Sequence, residues 1–464
     1  MSVFRVQEIL DSTGSVLARG DARKSVVGVS TDTRTLQPKQ LFIALSGENF
    51  DGNRFAVQAA QKGASVVMLR GVPGDPLPDL PGEVAIAWHP DPRRALGDLA
   101  AAHRAKLRAD VIGITGSCGK TTTKNILSEL LKSVRNVVSS PASFNNDVGV
   151  PHTLLLADET TGALVVEMGT NGPGEIAQLA RIARPTGAII TTLGPAHLQG
   201  LGSIEGVARE KSDLFAALPR EAFAVLNLDS RHHELLRDST VARVITISVD
   251  GEGELNATDL HFDSGFTTFR LNGDEVAMPL LGKHNVSNLL AALAACRGIG
   301  LDLRAVLPAV ARLTGGRQRM ERHVIGDLVV IDDSYNANPD SARAAVRVLS
   351  GLHGHARRVF VLGDMLELGP TAPELHHKLG EEVAQAGIDL FVLVGELAEC
   401  AASGALIAGM PKARVLHFAT VEDAEREFPS LLASGDVALI KGSRRMSLER
   451  LTRRLEELHP TRAA

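Results

Sequence analysis

The sequence predicts an α/β protein of three domains, a small first unit followed by two units built on mostly parallel, doubly wound sheets. Two stretches of regular strand-helix alternation, one from residue 109 and one from about residue 319, carry that expectation. Length supplies the third observation, because 464 residues is roughly three times the ~150 of a typical domain.

In the first unit, residues 23 to 70 read as strand, loop, strand, helix and strand through "KSVVGVSTDTR", "LFIALSG", "RFAVQAAQKGA" and "SVVMLR". The stretch "GVPGDPLPDLPGE" that follows crowds prolines and glycines into a surface loop, and the boundary falls near Trp88, giving a first domain of residues 1–88. The second domain, residues 89–318, alternates "DVIGIT", a helix, "ALVVEMG", "TGAIITTLG", a helix and "FAVLNLD". An antiparallel-looking piece, "TISVDG" with "ATDLHFDSGFTTFRLNG", precedes a long amphipathic helix in "HNVSNLLAALAACRGIG". The third domain, residues 319–464, repeats the alternation through "LVVIDDS", "RVFVLGD", "LFVLVGE", "ARVLHFA" and "DVALIKGS", each followed by a helix.

Bulk properties exclude several classes. No window holds the ~18 uninterrupted apolar residues a membrane helix needs, and "MSVFRVQEILDSTG" lacks the apolar core of a signal peptide, so no membrane span and a cytoplasmic location are expected. Cys118, Cys296 and Cys400 lie far apart, without the pairing of a disulfide framework or the spacing of a zinc site. Net charge is -5 with the signs interspersed, and aromatic residues are 3%, so no nucleic acid partner is expected.

The chemistry-bearing stretch is "VIGITGSCGKTTTKNILSELL", an apolar strand, a glycine turn and a helix start. Such a turn offers backbone N–H groups and a positive helix end to an anion, and ATP or GTP is its natural ligand. The candidates are Gly113, Thr115, Gly116, Ser117, Cys118, Gly119, Lys120, Thr121 and Thr122, with five residues between Gly113 and Gly119 where four are usual. Magnesium on a triphosphate needs a hydroxyl and a strand-end carboxylate, and Thr121 and Glu167 fit those roles. His197 follows a strand at the edge where open sheets bind ligands, and by itself it reads equally as a loop histidine. By spacing alone Glu210, Lys211 and Asp213 pass as a solvated helix face, and His284 with Asn288 as capping or surface residues. Arg317 in "GGRQRMER" is placed to swing onto a γ-phosphate, and "IDDSYNANP" puts more carboxylates and amides after a strand than a turn requires.

Together these motifs resemble the Mur ligase family of ATP-dependent amide-bond ligases. Its blocks stand here as "GITGSCGKTTTK", "SFNNDVGVPHTLL", "EMGTNGPGEI", "AHLQGLGS", "GKHNVSNLLAA", "GR", "IDDSYNANP", "VLGDMLELG" and "IKGSR", in family order. "DDSYNANP" with "LGDMLELG", the absence of "DNPR" and the N-terminal "STDTRTLQPKQLFIALSGENFDGNRF" resemble the member that adds D-alanyl-D-alanine to UDP-N-acetylmuramoyl-tripeptide. The resemblance implies a UDP-binding domain, a P-loop-type ATPase domain and a Rossmann-like domain that receives the dipeptide. It implies that Thr121, Glu167, His197 and a carbamylated Lys211 serve two Mg2+ ions, and that His284, Asn285, Asn288, Arg317 and Asp333 hold adenosine and phosphates. Thr31, Asp32, Thr33, Arg34, Ser46 and Gly47 are expected at the UDP-substrate, Asn336, Asn338 and Ser443 at the dipeptide, and a monomer is expected. Lys39-Gln40 and Asn53 depart from the family's usual Gly-Asp and histidine. A folylpolyglutamate-type ligase would lack the UDP block, and a non-catalytic nucleotide switch would leave the third domain without a use.

Overall fold

The computed structural model describes residues 2–47, 50–263 and 265–459, so Glu48 and Asn49 of the N-terminal block and the last five residues of the third expected domain lie outside it. The first sheet has five strands in the order Val16–Arg19, Ala85–His89, Val66–Arg70, Leu41–Ile43 and Val29–Ser30. Its pairs are parallel except the first. Sequence patterning did not mark Val16–Arg19, which is too short to show a period, or Ala85–His89, a wholly buried run without alternation. A separate antiparallel pair joins Val3–Arg5 to Ser25–Val27.

The central sheet has nine strands. Val137–Ser139, Ala163–Glu167, Asp110–Thr115, Gly187–Ile190, Phe223–Asn227, Arg243–Ser248 and Leu255–Asp263 run parallel, and Phe266–Leu271 and Asp274–Met278 extend it as an antiparallel ribbon. Helices cover both faces, which is why "ALVVE" and "FAVLN" are buried along their whole length instead of alternating. The helix Lys283–Gly298 is not amphipathic, contrary to its sequence expectation. Every residue from Asn288 to Cys296 is buried, because its alanines let it lie close between the sheet and the helix Lys120–Lys132. An alanine-rich helix wrapped on all sides shows no polar stripe to read.

The C-terminal sheet has six strands in the order Glu321–Ile325, Leu328–Asp333, Val437–Lys441, Arg358–Gly363, Leu390–Val394 and Val415–Phe418. All pairs are parallel except the first hairpin. The five anticipated strands are all present. Glu321–Ile325 was missed because its "ERH" start reads as loop, whereas an edge strand with one open side tolerates charge.

Candidate active site

Strand Asp110–Thr115 lies between Ala163–Glu167 and Gly187–Ile190, all parallel, so the phosphate turn, Glu167 and the segment leading to His197 leave the sheet along one edge. The turn runs from Gly116 to Gly119. Gly116 has φ of 146° and Gly119 of 84°; a Cβ would meet Thr191 Oγ1 at 1.9 Å on the first and Asn288 Oδ1 at 2.4 Å on the second, so neither position admits a side chain. Gly113, expected among the phosphate-binding residues, lies inside the strand that "DVIGIT" predicts, with Leu214 and Met168 packed over it, and Thr115 is the buried last residue of that strand. This explains the odd spacing: only Gly116 and Gly119 shape the turn. Lys120 Nζ folds back to Gly116 O at 2.7 Å, and burial pushes its pKa down.

Ser117, Cys118, Gly119, Lys120, Thr121 and Thr122 line a cleft of about 700 Å³ whose other wall comes from the C-terminal sheet. Glu167, at the end of its strand, is 1% exposed. Asn145 Nδ2 donates to its Oε1 at 2.9 Å, Lys124 Nζ stands 3.7 Å from Oε2, and Oε2 has no hydrogen-bond partner. His197, held at φ of 54°, reaches across to Glu367, with Nδ1 3.0 Å from Oε2. Burial, then Lys120 and Lys211, push its pKa down while Glu367 opposes.

The solvated-face reading of Lys211 is overturned. Its side chain is fully buried, its Nζ has no partner, and burial together with Lys120 brings its pKa down to about 7. Neighbouring Glu210 is also buried, and its carboxylate accepts from Gly174 N and Ile176 N at the start of the helix Glu175–Ala183. Among the described residues no three His, Cys, Asp or Glu side chains converge as a ready-made metal site. The orphaned Glu167 Oε2 beside Thr121 and His197 nonetheless suits a hard cation that brings phosphate oxygens with it.

His284, Asn285, Asn288 and Asp333 all line the cleft. Burial brings His284 down to about 4, so it is neutral there. Asn288 accepts from Thr123 Oγ1 at 3.2 Å and donates to Asn285 Oδ1 at 3.2 Å, which ties the buried helix to the phosphate helix. Arg317 is corrected: it is exposed and outside the cleft. The guanidinium in the cleft belongs to Arg319, whose Nη2 donates to Thr121 Oγ1 at 3.0 Å. The hairpin that follows sets which of these near neighbours faces inward, and "GGRQRMER" has no periodicity to show it.

From the C-terminal wall, Asp333 Oδ2 and Lys441 Nζ pair at 2.6 Å across adjacent strand ends, and Lys441 also donates to Asn336 O at 3.0 Å. Asn338 caps the helix Pro339–Gly351 by accepting from Ser341 N, and its amide lies 3.0 Å from Cys118 Sγ. Ser443 Oγ accepts from Leu366 N at 2.8 Å. These three residues line the cleft, as does Glu367. Lys124, Asn145, Arg319, Glu367 and Lys441 were not singled out from sequence. Lys441 carried the same signal as Glu167, a charge closing a buried apolar strand.

Thr31, Asp32, Thr33, Arg34, Ser46 and Gly47 lie apart from this cleft, on the loops that follow the parallel strands Val29–Ser30 and Leu41–Ile43. Asp32 takes Arg34 in a bidentate pair, Thr33 Oγ1 donates to Gln58, and Ser46 Oγ to Asp51. Asn53 pairs through its amide with both backbone groups of Arg70. Lys39 sits at φ of 69°, a conformation that explains why glycine is usual there.

Comparison with known proteins bears directly on this geometry. Family models described as "Mur ligase family, catalytic domain", "Mur ligase middle domain" and "Mur ligase, glutamate ligase domain" match residues 25–104, 114–296 and 318–444. The UDP-N-acetylmuramoyl-tripeptide--D-alanyl-D-alanine ligase of Bacillus subtilis is 35% identical over 97% of this chain and 98% of its own length. The chain belongs to the Mur ligase family. The Escherichia coli protein of the same name is 35% identical over 92% of the chain and 93% of its own. Among solved Mur ligases, a crystal structure of MurF from Acinetobacter baumannii superposes with a TM-score of 0.89 at 30% identity, covering 98% of this chain and 99% of that one. MurF ligase from Thermotoga maritima in complex with ADP gives 0.80 at 25% identity, covering 96% and 99%. The three-domain Mur ligase architecture and ATP-dependent ligase chemistry are thereby this chain's own.

Proposed function

We propose that this Mur ligase joins D-alanyl-D-alanine to UDP-N-acetylmuramoyl-tripeptide, driven by ATP, in the synthesis of peptidoglycan precursors in the cytoplasm. The observation that carries the reading is a single cleft walled on one side by a phosphate turn and on the other by the strand ends of a second sheet. Near-full-length likeness to proteins bearing that activity's name supports the choice of substrates.

A peptide carboxylate is a poor electrophile, so its oxygen attacks the γ-phosphorus of ATP and ADP leaves, giving an acyl phosphate. The dipeptide amine then attacks the acyl carbon, and the tetrahedral intermediate expels phosphate as the amide forms. The backbone N–H groups of Cys118 to Lys120, Lys120 Nζ and the Arg319 guanidinium surround the phosphates and stabilise the charge that gathers as two anions meet. His284, Asn285, Asn288 and Asp333 form the adenosine side. Thr121, Glu167 and His197 are the residues that would hold Mg2+, which when bound neutralises phosphate charge. Neutral Lys211 Nζ would add to carbon dioxide, forming an N–C bond and losing a proton, and the resulting carbamate would replace a buried amine with an anion able to serve a bound cation. Asn336, Asn338 and Ser443 stand at the dipeptide side, and Asp32 and its neighbours at the UDP side.

Phosphate release measured with each substrate alone and both together tests the reading. Amide product and sustained turnover are expected only with UDP-muramoyl tripeptide and D-alanyl-D-alanine together; hydrolysis indifferent to both would return the protein to a nucleotide switch.

A further inference from the structure

Tyr335, the one tyrosine in the chain, follows the strand Leu328–Asp333 and touches two parts of the cleft at once. The guanidinium carbon of Arg319 stands 3.9 Å from the centre of its ring, well inside cation–π range. Its hydroxyl shares a hydrogen bond of 2.5 Å with Ser143 Oγ, on the loop that also carries Asn145, the donor to Glu167. Its backbone N–H donates to Gln318 O at 3.1 Å, fastening the strand end to the segment that bears the arginine.

Arg319 itself is otherwise loosely held. Among the described residues no carboxylate lies within ion-pair distance of it, and the one hydrogen bond of its side chain runs to Thr121 Oγ1. A guanidinium donates only in its own plane, so an arginine that meets phosphate oxygens must have that plane set before the ligand arrives. A flat ring stacked beneath it sets the plane without consuming any of its N–H donors, which an ion pair would do.

We propose that Tyr335 is a positioning residue that acts through Arg319: its ring fixes the plane of the guanidinium over the phosphate turn, and its hydroxyl bond to Ser143 makes that alignment depend on the C-terminal wall meeting the central one. The relay Ser143–Tyr335–Arg319–Thr121 begins and ends on the central domain and passes through the C-terminal segment between. The inference rests on the reading of Arg319 as a phosphate-contacting residue.

A double-mutant cycle on the full-length protein, with kcat and KM for ATP and for both acceptors, separates the two. Arg319→Ala is measured first; wild-type turnover by it would overturn the reading of the arginine and this inference with it. With that loss established, Tyr335→Leu is expected to lower kcat about tenfold, a difference of about 1.4 kcal/mol, with KM for UDP-muramoyl tripeptide unchanged. In the Arg319→Ala background the same substitution is expected to be silent. Tyr335→Phe keeps the ring and is expected to lose less than Tyr335→Leu, and its effect is expected not to add to that of Ser143→Ala, since both remove one bond. Equal losses from Tyr335→Leu with and without Arg319, or an unchanged kcat, would overturn the proposal, as would additive losses from Tyr335→Phe and Ser143→Ala. Thermal melting of each variant identifies any loss that comes from unfolding.

Discussion

Two buried lysines, Lys441 lining the cleft and Lys211 outside its lining, show how differently the two sheets handle charge. Lys441, closing a strand of the C-terminal sheet, is satisfied within the protein by Asp333 at 2.6 Å and by Asn336 O. Lys211, on the helix Ile204–Ala216, is equally buried but its Nζ has no hydrogen-bond partner, and Glu167 Oε2 has Lys124 at 3.7 Å but accepts no hydrogen bond. An orphaned buried polar group destabilises the fold by about 1–3 kcal/mol. The Lys441 pair is satisfied within the protein, whereas on the proposed reading the groups around Lys211 and Glu167 would be completed by ligands.

The sharpest way to break this contrast is Lys211→Ala, for which a loss on the order of 10²–10³ in kcat is expected, with ATP binding retained. A short carboxylate in solution is expected to restore part of the rate by filling the vacated anionic position, and Lys211→Arg, which keeps the charge but forms no such carbamate, is expected to fail. Wild-type turnover by Lys211→Arg in carbonate-free buffer would place Lys211 among the merely structural lysines.

Arg319→Ala is next in size, with a fall on the order of 10² in kcat, while Arg317→Ala, on an exposed side chain, is expected to stay within the roughly twofold range of surface changes. A reversed ranking in the phosphate-release assay would return the phosphate contact to Arg317.

Stability measurements probe the same contrast with opposite signs. Lys441→Met leaves the partly buried Asp333 carboxylate without its ion-pair partner and is expected to destabilise by about 1–3 kcal/mol in denaturant unfolding. Lys211→Met, in metal-free and carbonate-depleted buffer, removes an orphan and is expected to stabilise by about 1–3 kcal/mol. The Lys211 pKa falls from 10.5 unfolded to about 7 folded. Between those values the unfolded chain binds more protons, so wild-type stability is expected to rise with pH across that window, and Lys211→Met to lack that rise.

The smallest expected effect lies in the C-terminal domain. His376 is buried and neutral: its Nε2 accepts from Met365 N at 2.9 Å, so Nδ1 donates to Ala372 O at 2.7 Å, and this fixes the loop that presents Leu366 and Glu367. Burial holds its pKa below the unfolded 6.5, so the stability it carries is present above about 6.5 and is lost as pH falls toward the folded value. Comparison of unfolding curves at pH 7 and pH 5 for wild type and His376→Gln is expected to show a shallower acid loss in the variant. Identical slopes would remove His376 from the acid response.

Much of the molecule was legible before any coordinates. Parallel-sheet alternation, the glycine turn, the strand-end carboxylate Glu167 and the "DDSYNANP" loop announce themselves because their physics is local: a buried strand is a run of apolar residues, a phosphate turn needs glycine, and a charge closing such a strand stands out. The edge strand Glu321–Ile325 and the all-round burial of Lys283–Gly298 were not legible, since one looks like loop and the other has no period. Tertiary structure alone decided that Arg319 and not Arg317 enters the cleft, that Leu214 and Met168 pack over Gly113, and that Lys211 is buried without a hydrogen-bond partner instead of lying on a solvated face. Each depends on what another part of the chain brings alongside: Tyr335 and Thr121 for the arginine, Leu214 and Met168 for the glycine, the surrounding helices for the lysine. Spacing along one segment records its own period, and the burial or pairing of a charge is set by residues distant in sequence, which no local pattern encodes.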